Sequence, residues 1–152
     1  MTESLITRRH LSDTLPKYWY VVFTDNSNDP LNTGIVASFI KLFTSPGYRH
    51  CFVFTPSELG TLVLDPSWTG LAVSWSPAPP ERIAQACLLH GHKVLLLEQN
   101  HIQRYYSRGF ITCVSIIKMT IGLKSWKIIT PKQLFKAMLA AGAHIIPLSK
   151  SR

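Results

Sequence analysis

Gly109-Phe110-Ile111-Thr112-Cys113-Val114-Ser115-Ile116-Ile117-Lys118-Met119-Thr120-Ile121-Gly122 reads as a short loop that delivers a cysteine to the first turn of a buried helix. Thr112 is an N-cap residue type, and Gly122 stands where a helix-terminating glycine belongs. Val114, Ile117 and Ile121 recur at helical spacing and give the helix one apolar face. Cys113 then lies where unpaired backbone N–H groups and the helix dipole favour a thiolate. A small buried hydrophobe is the competing role, because free cysteine is among the most buried residue types. What separates the two roles is whether the chain supplies a base.

Upstream, Tyr18-Trp19-Tyr20-Val21-Val22-Phe23-Thr24 is aromatic and β-branched, a first strand. Asp25 to Pro30 forms a turn, and residues 34–43 suit a short helix with Ile35, Phe39 and Phe43 stacked at spacing four. Tyr48 to Thr55 is a second strand, whose alternation puts Tyr48, His50, Phe52 and Phe54 on one face and Arg49, Cys51, Val53 and Thr55 on the other. Thr61 to Asp65 is a third strand, antiparallel to the second across a short turn and stopped by Pro66. Leu71 to Trp75 is a fourth.

Pro79-Pro80 leads into a helix from Glu81 to His90, ended by Gly91. Lys93 to Glu98 is strand-like, and Asn100 to Arg108 is either another strand or an extended loop. Downstream, Thr130-Pro131-Lys132-Gln133 is a capping box with proline at the first helical position. It opens a helix to Gly142, and residues 144–148 suit a last short strand. Antiparallel strands with separate helices make an α+β fold, an antiparallel sheet packed against helices. Residues 1–16 read as a flexible arm and 17–152 as one domain, the expected count for 152 residues.

Hydrophobic residues make up 46% and charged residues 16%, so the chain has material for a core and is no disordered polymer. Three cysteines without regular spacing form neither a disulfide framework nor a zinc site. No metal or organic cofactor is implied. The N-terminal stretch lacks the apolar run of a signal peptide. Apolar runs reach at most about 14 residues and are interrupted by Lys118 or His144, too short to span a bilayer. These features fit a soluble protein made in a reducing compartment.

The net charge is +8, and no acidic residue follows Glu98, while Arg104, Arg108, Lys118, Lys124, Lys127, Lys132, Lys136, Lys150 and Arg152 do. A one-signed field of this kind attracts anionic partners: nucleic acid, an anionic lipid surface, a cell-wall polymer or an acidic virion component. A plain solvated face explains the same charges, and no nucleic-acid-binding motif accompanies them.

A cysteine nucleophile needs an imidazole, and the imidazole needs a polar group to hold its tautomer. His50 and Asp65, on neighbouring strands, supply both. Each has an ordinary alternative: His50 as a satisfied core histidine, Asp65 as a turn cap. Cys51 faces away from His50, Cys87 is a core helix residue, and His90 and His92 are surface turn residues flanking Gly91. His101 and His144 are weaker rivals for the base.

This order, strand histidine, strand aspartate, then helix cysteine, resembles the circularly permuted papain-like proteins of the NlpC/P60 superfamily, and in particular small phage-encoded members. The likeness rests on Trp19-Tyr20-Val21-Val22-Phe23-Thr24, Arg49-His50-Cys51-Phe52, Leu64-Asp65-Pro66, Cys113-Val114-Ser115 and Thr130-Pro131-Lys132-Gln133-Leu134, across roughly residues 18–140. It implies a thiol peptidase or amidase with Cys113 as nucleophile, His50 as base and Asp65 as orienter. Trp19, Tyr20 and Tyr106 become candidates to line the cleft. Permuted members also act on isopeptide, ester or lipid-acyl bonds, and some have lost activity and serve as structural or host-interaction proteins. The resemblance places such a protein in a host cytoplasm or a phage virion.

Overall fold

The computed structural model describes residues 16–25, 44–67, 70–99 and 112–149. The arm, the helix expected over 34–43, the segment 100–108 and Tyr106 lie outside the described residues. The elements are β1 (Tyr18–Thr24), β2 (His50–Ser57), β3 (Gly60–Ser67), β4 (Gly70–Ser76), α1 (Pro80–Leu89), β5 (Lys93–Glu98), α2 (Cys113–Thr120), α3 (Pro131–Ala140) and β6 (His144–Ile145). The fold is α+β. The strands form one six-stranded sheet in the order β4-β3-β2-β1-β5-β6, and every neighbouring pair is antiparallel.

β1 is central and buried from Trp19 to Thr24, which explains its unbroken apolar character: both of its faces are covered. Trp19, Val21 and Phe23 join Cys51, Val53 and Leu95 on one face, under Val114, Ile117 and Ile121 of α2 and Leu134 and Met138 of α3. Tyr20, Val22, Phe54 and Val94 form the other face, under Ala84, Ile83, Cys87 and Leu88 of α1. Helices therefore cover both sides of the sheet. β4, at the edge, is exposed over Gly70–Trp75.

Two departures from the sequence-based expectation shape the site. β2 begins at His50, not Tyr48, and Arg49 N donates to Thr24 O just ahead of it. The alternation breaks there, so Tyr48 packs on the opposite face from His50, edge-on to Phe135 and tilted against Phe23. The second departure is that β3 does not stop at Pro66. It stays paired with β4 as far as Ser67–Gly70, whereas its ladder with β2 ends at Val53–Leu64. Continuing the β2 register would set Cys51 opposite Pro66, which has no N–H to give. Proline thus ends the pairing on one side only, and β2 and β3 part at the end that carries His50 and Asp65.

Candidate functional site

α2 starts as its sequence demands. Thr112 Oγ1 accepts from Ser115 N at 3.1 Å, and Ser115 Oγ accepts from Thr112 N at 2.7 Å, a reciprocal capping box. The box fixes the helix end and with it Cys113, the first helical residue. Val114, Ile117 and Ile121 bury against the sheet as expected, and the helix ends where Gly122 takes a positive φ of 69° and Leu123 N reaches Lys118 O at 2.9 Å.

His50 Nε2 lies 2.7 Å from Asp65 Oδ1, with the imidazole buried and the carboxylate half-buried. His50 and Asp65 are thus brought together across the gap between β2 and β3. Cys113, half-buried, joins them from the helix end, where the Cys51 thiol, the His50 ring and the Cys51 backbone N–H act on its ionisation. That N–H is on the stretch of β2 that no longer pairs with β3.

The electrostatics follow from these partners. The hydrogen bond from the Cys51 thiol acts most strongly on Cys113; burial opposes ionisation, and the His50 hydrogen bond and charge and the Cys51 N–H again favour it. The net result holds the Cys113 thiol well below the usual range. Burial pulls the His50 imidazolium down, but the bonds to Asp65 and then Cys113 outweigh it and raise its pKa to about 9. Cys51, fully buried, is driven the other way by burial and by donating to Cys113, and stays a thiol. These influences favour a thiolate at Cys113 and an imidazolium at His50, with a carboxylate beside the ring.

A cleft of about 290 Å³ opens on the α1 side of the sheet, lined by Thr24, His50, Phe52, Asp65, Ile83, Ala86, Cys87, His90 and His92. Cys113 is not among its lining residues; His50 and Asp65 are. His90 and His92, read from sequence as surface turn residues, belong to this wall because the α1 terminus at Gly91 (φ 80°) folds back, with His92 N donating to Cys87 O at 3.0 Å. Their rings stand 6.3 Å apart, and burial and the neighbouring His90 lower the pKa of His92. Cys87 packs on the core as expected and also borders the cleft.

Trp19 and Tyr20, expected to line a cleft, are not among the lining residues of this one. Trp19 is buried in the core beneath α2 and α3, and Tyr20 is stacked on Phe54 at 4.9 Å with its hydroxyl donating to Glu81 at 3.0 Å. Both occupy the fully covered central strand, where an aromatic residue packs and does not face a ligand. Sequence reading also missed the part played by Cys51. It does face away from His50, but Cys113 packs on that same side, where Cys51 acts on its ionisation. No alternation rule in the chain signals this; the signal is Pro66, which frees the strand end. No protein-family model, no curated protein and no solved structure matches the chain.

Proposed function

We propose that the chain is a cysteine hydrolase of permuted papain-like arrangement, acting through an acyl-enzyme on amide or related acyl bonds. The observation that carries this reading is a sulfur at a capped helix start whose ionisation is coupled to an imidazole, itself 2.7 Å from a carboxylate. The order of His50, Asp65 and Cys113 on strand, strand and helix supports the same reading, as does the resemblance to phage-encoded members of that superfamily.

In this mechanism the Cys113 thiolate attacks the carbonyl carbon. Negative charge moves to the carbonyl oxygen, which the free N–H groups of the first turn of α2 stabilise; Thr112 already occupies the N–H of Ser115. The His50 imidazolium gives its proton to the leaving group as the carbonyl–leaving-group bond breaks, and a thioester remains. Neutral His50 then takes a proton from water, the hydroxide attacks the thioester carbonyl, and the thiolate departs with the imidazolium restored. Asp65 holds the ring in one tautomer throughout.

The test is a panel of peptide amides, isopeptides and esters, with intact-mass detection of a thioester on Cys113. Turnover and an adduct in the wild-type protein, both lost in Cys113→Ser and His50→Gln, support the reading. Turnover that persists in Cys113→Ser overturns it, and so does an adduct-free, inactive wild-type protein across the panel.

A further inference from the structure

The connection between α2 and α3 displays apolar groups while its backbone is held rigid. Trp126 is 81% exposed and Ile129 is 69% exposed, whereas Leu123 and Ile128 turn inward onto the core. Lys118, itself buried, donates through Nζ to Ser125 O and Ile128 O, at 2.8 Å each. Gln133 Oε1 accepts from Ile129 N and Thr130 N at 3.0 and 3.1 Å. Burying an ammonium is costly, so two bonds from it to one loop mark a shape worth holding.

Exposed Lys124 and Lys127 belong to the tip, with Lys127 Nζ 5.7 Å from the Trp126 ring centre, and exposed Lys132 and Lys136 follow on α3, where Lys132 Nζ donates to Ser45 Oγ at 3.2 Å. From residue 112 to 149 there is neither an acidic residue nor an arginine. We propose that this connection docks on an anionic phospholipid surface, with Trp126 and Ile129 entering the headgroup layer and Lys124 and Lys127 facing its phosphates. An indole with one polar edge suits that depth, lysines carry apolar stems beneath their charges, and juxtaposed lysines gain from an anionic leaflet.

Nucleic acid fits less well. Phosphate and base recognition favours the arginine fork, which residues 112–149 lack, and Ile129 has no ring to stack on a base. Among the described residues no helix is long and apolar enough to cross a membrane, so the contact is one of surface docking. The inference does not rest on the hydrolase reading: the tip lies beyond the C-terminal end of α2, and Cys113 begins the helix at its other end.

The experiment is co-sedimentation of the full chain with phosphatidylserine–phosphatidylcholine vesicles and with phosphatidylcholine alone, alongside binding to duplex DNA. The expected result is binding to the anionic vesicles only. Lys127→Gln should lower partitioning about fivefold, and Trp126→Ala by about tenfold or more. Cys113→Ser should bind vesicles as the wild type does, which keeps this outcome separate from that of the hydrolase test. Both tip side chains are exposed, and an unchanged melting curve verifies that the variants are folded. No vesicle binding overturns the proposal, as does partitioning unaffected by Trp126→Ala. Lysine-dependent binding to DNA that ignores Trp126 overturns it in favour of nucleic acid.

Discussion

Asp65→Asn keeps the shape of the side chain and a hydrogen-bond acceptor beside His50 Nε2, and removes only the charge. In the wild-type protein burial works against the imidazolium, and the 2.7 Å bond to Asp65 is the largest influence opposing it, ahead of Cys113; the balance lies at about 9. A hydrogen bond to a charged group contributes ~1.5–3 kcal/mol, against ~0.5–1.5 for a neutral one, so the substitution removes roughly 1–1.5 kcal/mol from the protonated form. At about 1.4 kcal/mol per unit, the His50 midpoint should fall by about one pH unit. Proton–carbon correlation spectra of histidine-labelled protein follow each ring through a pH titration, and His50→Gln identifies the resonance. The wild-type midpoint should stand near 9, and both Asp65→Asn and Cys113→Ser should lower it, because each removes a group that favours the imidazolium. A wild-type midpoint near the ordinary 6.5 would refute the coupled site. A midpoint unmoved by Asp65→Asn would refute the role given to the carboxylate.

Alkylation of Cys113 by iodoacetamide, read by peptide mass spectrometry, should be nearly independent of pH from about 6 to 8, while Cys87, raised by burial, should react about tenfold faster per pH unit over that range. The slope is the diagnostic quantity, because nucleophilicity falls as thiol pKa falls and offsets part of the gain in thiolate. Folding stability carries the same signature. Raised His50 contributes stability that is full below about 6.5 and is lost as pH rises through 9, and depressed Cys113 contributes stability that is full above about 8.5 and is lost as pH falls. Between about 6.5 and 8.5 the two slopes cancel, so denaturation midpoints measured across pH should show a plateau there, declining on both sides, and Cys113→Ala should abolish the acid-side decline due to the pair. Thr112→Ala removes the acceptor for Ser115 N and should cost about 1 kcal/mol in urea unfolding.

Much of the architecture was readable from local chemistry. An aromatic and β-branched run marked β1; Thr112 and Thr130 marked helix starts; Gly91 and Gly122 marked helix ends with positive φ. These signals act between residues close in the chain, so a linear reading reaches them. Period-two alternation also separated Cys51 from His50 correctly. It failed at Tyr48, because one irregular hydrogen bond at Arg49 resets the face and leaves no mark in the residue types.

His50, Asp65 and Cys113 could be named from sequence because each chemical role calls for a particular residue type. That Cys51 acts on Cys113, that the β2–β3 ladder ends before Pro66, and that the cleft is lined by His90 and His92 were decided by packing alone. Those contacts join residues far apart in the chain. Their existence depends on which helix covers which face of the sheet, and the balance of buried surface in the whole molecule settles that choice.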